Sequence, residues 1–199
     1  MTVTISRLFD NYADAQEAVY HLKEAGVDEA DISVVANNSE KWYSPDYAAG
    51  AGKGAAIGAG FGGFGGLLAG LGLLAIPGLG PVVAVGWLAA AAAGAIAVGA
   101  AGGVIGLLAE AGVATNDAEI YAESIRRGGS LVSVRVAEVD KERLEAILHP
   151  SSVDIGQRRA DLTSSGWTAF DPNAPDFTSE EVARERELRK AAGAPMVKP

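Results

Sequence analysis

The stretch GKGAAIGAGFGGFGGLLAG, residues 52–70, decides what kind of protein this chain is. Glycine recurs in it at every fourth position, at Gly54, Gly58, Gly62, Gly66 and Gly70. A glycine in a helix interior costs about 1 kcal/mol relative to alanine, so five in one row need a physical reason. Three reasons are open: a loop that holds a phosphate, a flexible linker, or a surface where helix backbones approach closely.

The phosphate and linker interpretations both lack supporting residues. Gly58-Ala-Gly60-Phe-Gly62-Gly63 matches G-x-G-x-x-G, but a dinucleotide site also needs a preceding strand and an acidic residue about twenty positions later. No acidic residue occurs between Asp46 and Glu110. Flexible glycine linkers are filled with serine and other polar residues, whereas this segment is filled with Ala, Leu, Ile and Phe. Close helix packing is therefore the favoured interpretation.

The glycine row lies in a long segment without charge. From Gly54 to Ala109 the chain has no Asp, Glu, Lys, Arg or His, and the break IPGLGP, residues 76–81, divides this segment in two. At 1.5 Å per residue, a helix over 55–76 would extend about 33 Å, close to the hydrocarbon core of a bilayer. The sequence therefore predicts a Gly/Ala-rich apolar helical hairpin over residues 50–109 that is embedded in the membrane.

The two predicted helices are expected to pack on each other through small residues, because burying large apolar side chains brings no gain in lipid. The second helix contributes Gly86, Ala90, Gly94, Gly102 and Gly106 to this packing. The predicted hairpin turn consists of Pro77, Gly78, Gly80 and Pro81. Each four-residue step overshoots a helical turn by about 40°, so the first row winds around its helix. Some of its glycines are then expected to contact a second copy of the chain.

A water-soluble assembly is the alternative, since apolar helices can also bury themselves in the core of an oligomer. Trp42, Tyr43 and Tyr47 precede the first predicted helix and suit either an aromatic belt at a membrane surface or a cover over a small domain. Lys53 is the flanking positive charge, and the positive-inside rule places it in the cytoplasm. We expect an inner-membrane protein with its soluble parts in the cytoplasm, or alternatively a cytoplasmic soluble assembly.

The chain on both sides of the hairpin predicts one small α+β domain. Residues 1–49 show a strand, an amphipathic helix capped by Asn11 and ended by Gly26, and a second strand. Residues 110–156 continue with a helix, a strand whose valines share one face, a short helix, and SSVDI, residues 151–155, as a last strand. Together these halves predict a small ferredoxin-like α/β sandwich that the hairpin interrupts.

Residues 157–199 form a polar tail. A loop rich in Pro, Asn and Asp precedes a short charged helix, whose start has the capping-box pair Thr178 and Glu181. This helix has almost no apolar stripe. We therefore expect it to be solvated, with docking on a neighbouring subunit as the alternative.

The composition disfavours most binding and catalytic classes. A net charge of −9 without a basic stretch argues against nucleic acid as a partner, and the lack of cysteine excludes disulfides and thiolate metal sites. His21 has a metal-compatible spacing to Glu17 and Glu24, but a solvated helix surface explains the trio equally well. No serine or threonine has a recognisable base. The sequence predicts no catalytic residue, no metal site and no cofactor.

Three stretches resemble one known family: LFDNYADAQEAVYHLKEAGVDEADISVVA (8–36), AIPGLGPVVA (75–84) and AEIYAESIRRGGSLVSVRV (118–136). Over about residues 3–156 the chain is similar to the general stress protein 17M-like (YflT-like) domain family of bacteria, and the tail looks like an extension. The resemblance implies a stress-associated bacterial protein and supplies no catalytic residues. We therefore expect a non-enzymatic structural or interaction protein that anchors in the membrane through a glycine-zipper hairpin and self-associates. A more distant similarity, to small membrane subunits of respiratory quinol-oxidising complexes, leaves an accessory subunit of a membrane complex as an alternative.

Overall fold

The structure is a computed structural model that describes residues 1–43, 72–76, 79–89, 103–110 and 112–193. The strands are β1 Thr2–Phe9, β2 Ile32–Asn37, β3 Gly72–Ile76, β4 Gly80–Val85 and β5 Ser130–Ala137. The helices are α1 Tyr12–Glu24, α2 Gly103–Glu110, α3 Thr115–Arg126, α4 Lys141–Leu148, α5 Ile155–Ser164 and α6 Ser179–Gly193. Short 3₁₀ turns at Glu29–Asp31 and Glu138–Asp140 lead into β2 and α4.

The five strands form one antiparallel sheet in the order β1-β5-β2-β4-β3. Strand β5 lies between β1 and β2, which are therefore parallel to each other, and helix α1 connects them across the sheet. The register places Ser6 and Ser33 on either side of Ser133. The hairpin β3–β4 extends the sheet beyond β2, with Val34 opposite Val85.

Helices cover both faces of this sheet, because its strands carry apolar side chains on both sides. Val132, Val134 and Val136 face α1 and α4 and form one hydrophobic core with them, as the alternation in the sequence predicts. Leu131 faces the other way and packs in a second core with α2 and α3. Asn11 caps α1 as predicted, since its Oδ1 accepts from the N–H of Asp14 at 2.9 Å.

The α+β class is confirmed, but the ferredoxin-like sandwich is not. The structure has helices on two faces instead of one, and the β3–β4 hairpin adds two strands to one side of the sheet. The expected last strand SSVDI is also wrong. The N–H of Val153 donates to the carbonyl of Leu8 at 2.8 Å, and Asp154 then caps helix α5, which begins at Ile155.

The predicted helical hairpin is wrong over the described residues 72–76 and 80–85. Its central residues, 72–76 and 80–85, form two antiparallel strands, because the β-branched residues of GPVVAV pair with β2. Val82 joins the second core and Val85 the first. Within the described part of the 50–109 segment, helix occurs only at 87–89 and in α2. Among the described residues, no helix combines the length and apolarity that crossing a membrane requires.

Candidate functional site at one end of the sheet

Most of the glycines predicted to pack helices lie outside the described residues. These are Gly54, Gly58, Gly62, Gly66, Gly70, Gly94 and Gly102, together with Ala90 and the turn residues Pro77 and Gly78. Gly86, expected in a helix, instead follows β4 with a φ of +85°, and a Cβ there would overlap the carbonyl of Ile32. Glycine at this position therefore allows the chain after β4 to lie close to the start of β2. Gly106 does lie in a helix, α2, and a Cβ on it would meet no described heavy atom within 4 Å.

The remaining predicted turn residues, Gly80 and Pro81, are the first two residues of β4 and lie opposite Ile76 and Ala75 of β3. Gly80 has a φ of +79°, which favours glycine, and a Cβ built on it would lie 3.2 Å from Cγ of Asp176. The carbonyl of Pro81 accepts from the N–H of Asn38 at 2.8 Å and so points toward β2. Gly80 and Pro81 therefore belong to strand β4 of the β3–β4 hairpin, and Pro77 and Gly78 lie outside the described residues.

Described elements of the domain flank both glycine-rich stretches, 44–71 and 90–102. The stretch 44–71 starts beyond β2 and ends at β3, and the stretch 90–102 starts after a helical turn that contains the buried Leu88 and ends at α2. Just before the first stretch, Trp42 stacks on Tyr12 with ring centroids 4.2 Å apart and donates from Nε1 to the carbonyl of Asn37 at 2.8 Å. Trp42 therefore covers the domain, which is one of the two predicted roles.

The C-terminal helix α6 lies along the same end of the sheet. Val182 is fully buried and lies against Gly128, so the expectation of a solvated helix is wrong for this side. The opposite side of α6 is solvated, since Leu188 is 59% exposed. The predicted capping box is confirmed, because Thr178 N–H donates to Glu181 Oε2 at 2.8 Å and Glu181 N–H donates to Thr178 Oγ1 at 3.3 Å.

Ion pairs between α6 and three other segments replace an apolar stripe. They are Arg127–Glu185 at 3.2 Å, Arg186–Glu40 at 2.8 Å and Arg189–Asp10 at 2.9 Å. All three pairs are at least half buried. We call this set, together with Val182, the helix strap. The helix strap joins the ends of β1, β2 and α3 to the tail. The charged residues of α6 that suggest a solvated helix in the sequence are the ones that form these ion pairs.

A buried carboxylate underlies the helix strap. Glu123 is fully buried, and its Oε1 accepts from Arg126 Nη2 at 3.0 Å and from Arg127 Nε at 2.6 Å. Burial opposes the charged form of Arg127, but the hydrogen bonds and charges of Glu123 and Glu185 outweigh it and raise the Arg127 pKa. The ring of Phe177 lies 5.0 Å and 5.5 Å from the guanidinium carbons of Arg126 and Arg127.

Two guanidinium groups share one oxygen of Asp10. Arg158 Nη2 donates to Oδ1 at 2.5 Å, and Arg189 Nε lies 2.9 Å from the same atom as an ion pair without hydrogen-bond geometry. Burial and the neighbouring charge of Arg158 lower the pKa of Arg189, against the opposing effect of Asp10 and Glu185. These groups hold α5 and α6 to the end of β1.

The predicted metal-compatible trio is an exposed charge cluster. His21 lies 3.8 Å from Glu17 and 3.3 Å from Glu24, and all three side chains are about half exposed or more. In the parts of the chain that the structure describes, no three His, Cys, Asp or Glu side chains form a group suited to a metal ion.

These features define a class: a small α+β domain with an open antiparallel sheet, two glycine-rich stretches of sequence between its elements, and a charged helix fixed across one end of the sheet. Residues 4–75 match the family model described as heat induced stress protein YflT domain. The match runs from β1 to β3 and covers about a third of the chain. It confirms over these residues the stress-protein resemblance that the sequence shows. No curated protein and no solved structure matches the chain.

Proposed function

We propose that this chain is a non-enzymatic, stress-associated interaction protein that self-associates through its glycine-rich residues, 44–71 and 90–102. The observation that carries the proposal is that each stretch begins and ends in the same sheet domain. The match to a heat-induced stress protein domain supports the stress association. The absence of charge from Gly54 to Gly70, in a chain of net charge −9, supports an apolar contact surface there.

The lengths of the two stretches favour a protein partner over a membrane-spanning hairpin. A stretch held in one domain at both ends must cross a bilayer twice or not at all, and two helical crossings need about 60 Å of helix. As a continuous helix, 44–71 would extend about 42 Å and 90–102 about 20 Å. Extended chain is longer, but it leaves backbone groups unpaired in lipid. Contact with a second copy of the chain requires neither two membrane-spanning helices nor unpaired backbone groups in lipid.

In water, unlike in lipid, the burial of apolar surface drives two copies together. Burying apolar surface between two copies in water contributes about 25 cal/mol per Å², so the leucines, isoleucines and phenylalanines between the glycines would stabilise the assembly. The glycines would let the main chains approach closely. The same row that would pack helices in a membrane therefore suits a protein–protein contact in solution.

The test is the particle mass of a Gly62→Leu variant, measured by mass photometry in buffer without detergent. Gly156→Leu is the control, because Gly156 is exposed on α5 with an ordinary backbone conformation, and a Cβ there would lie 3.2 Å from Oδ1 of the exposed Asp154. We expect wild type and Gly156→Leu to form oligomers and Gly62→Leu to shift toward the monomer. Equal masses for all three proteins would contradict the role of this glycine.

Attachment to the cytoplasmic face of the inner membrane is the second candidate, favoured by the charge-free run from Gly54 to Ala109. Flotation with vesicles of zwitterionic phosphatidylcholine tests it, since such vesicles do not repel an acidic protein. Wild type that floats as a monomer would favour this candidate over self-association. Wild type that stays at the bottom as an oligomer would favour the first. Co-purification with unrelated large subunits would favour an accessory subunit of a membrane complex.

A further inference from the structure

We propose that β3 is the strand through which two copies of this chain join, by antiparallel pairing of β3 with β3 of the second copy. The proposal rests on the self-association proposed above and names a second surface for it. It makes one continuous sheet from two five-stranded sheets.

Among the residues that the structure describes, none covers the outer edge of strand β3. The strand pairs with β4 on one side, and no described residue hydrogen-bonds to its other side. Natural edge strands are guarded by charged residues, proline or bulges, and GLLAI has none of them. Leu73 is 43% exposed. The opposite edge, β1, instead carries Arg7, which pairs with Glu145 at 3.2 Å.

The hydrogen-bonding direction of β3 follows from its partner Pro81. Ala75 lies opposite Pro81, which has no N–H and whose carbonyl points away to Asn38. Ala75 and Pro81 are therefore a non-hydrogen-bonded pair, and the N–H and C=O of Ala75 point out of the sheet edge. Because the pattern alternates, the backbone N–H and C=O of Leu73 also point out of the sheet edge. The backbone groups of Gly72, Leu74 and Ile76 bond to β4.

Only one register uses all of these outward groups within β3. When the twofold axis passes Leu74, Leu73 of each copy lies opposite Ala75 of the other, and the two pairs make four hydrogen bonds. A register centred on Leu73 places Ala75 opposite residue 71, beyond the strand. A register centred on Ala75 places Leu73 opposite Pro77, which has no N–H to donate. The backbone of β3 is thus self-complementary about Leu74.

The distribution of charge also favours a second copy of the chain as the partner of β3. Each copy carries a net charge of −9, so the net charges of two copies repel each other. The hairpin from 72 to 85 contains no charged residue, which makes its edge a place where two copies can meet without opposing carboxylates. Apolar residues lie on both faces of the strand, since Leu74 packs against the second core and Leu73 is exposed.

Cross-linking of a Leu74→Cys variant tests the register, because the chain has no cysteine of its own. The two introduced cysteines would form a non-hydrogen-bonded pair with Cα atoms about 4.5 Å apart, within disulfide reach. In the control Leu73→Cys, the two substituted positions would be diagonal and about 7–8 Å apart. We expect a disulfide-linked dimer of twice 20.2 kDa from Leu74→Cys under mild oxidation, at several times the yield of Leu73→Cys. No dimer, or equal yields, would overturn the register.

A Leu73→Lys variant tests the surface and separates this proposal from the preceding one. Leu188→Lys is the matched control, since Leu188 is also exposed, at 59%, but lies on α6. We expect only Leu73→Lys to lose the β3 contact and shift to lower mass, with an unchanged circular dichroism spectrum. If Gly62→Leu dissociates the oligomer and Leu73→Lys does not, the glycine-rich contact stands and the β3 contact fails. If wild type is itself monomeric, both proposals fail.

Discussion

Val182 of the C-terminal helix occupies the position that a side chain on Gly128 would need. Gly128 ends α3 with a φ of +97°, which itself favours glycine. Helix α6 is therefore fitted to one particular backbone site, next to the buried pair Glu123–Arg126. This contact makes the tail a part of the domain.

Gly128→Ala should lower the free energy of unfolding in urea by about 2–5 kcal/mol. The left-handed conformation accounts for about 1–2 kcal/mol, and the collision with Val182 for about 1–3 kcal/mol. Gly166→Ala is the control, because Gly166 has a φ of +89° and no heavy atom within 4 Å of a Cβ. Gly166→Ala should lower the free energy of unfolding only by the conformational part. In a Val182→Ala background, Gly128→Ala should also lower it by less than in the wild-type background. Equal losses in both backgrounds would contradict the contact between Gly128 and Val182.

Glu123→Ala should lower the free energy of unfolding by about 3 kcal/mol, because it leaves two buried guanidinium groups without their shared carboxylate. Glu187→Ala is the matched control, since Glu187 pairs with Lys190 on the solvated side of the same end of the molecule. It should have no measurable effect. A loss for Glu123→Ala as small as that of the control would show that the buried pair does not support the helix strap.

Stability should fall in alkaline solution because of Tyr12. Burial raises the pKa of Tyr12 from 10.0 to about 12, so the folded state keeps a proton that the unfolded state releases. The stabilisation is complete below pH 10 and is lost as the pH rises from 10 through 12, by about 2–3 kcal/mol in all. Tyr12→Phe should show a shallower decline of unfolding free energy over this range. The same decline in both proteins would exclude Tyr12 as the cause.

The sequence predicts the elements that have a clear period or a cap. The alternation of β1 and β5, the cap at Asn11 and the left-handed stop at Gly26, whose φ is +88°, are all local signals. Each is decided by the residue and its immediate neighbours. The capping pair Thr178 and Glu181 is confirmed for the same reason.

The elements that fail depend on distant partners. The apolar runs around IPGLGP lack a period, so they suit a buried strand as well as a helix. The β-branched VV after the turn is the signal that favours strand, and pairing of β4 with β2 decides it. The docking of α6 is equally hidden, because it depends on Val182 and on arginines whose carboxylate partners, Asp10 and Glu40, are far away in sequence.

Self-association without lipid is the central claim, and sedimentation equilibrium of the wild-type chain in detergent-free buffer tests it most directly. The monomer has a mass of 20.2 kDa. The account predicts a fitted mass of at least twice this value that declines on dilution. A mass of 20.2 kDa at every concentration would contradict it.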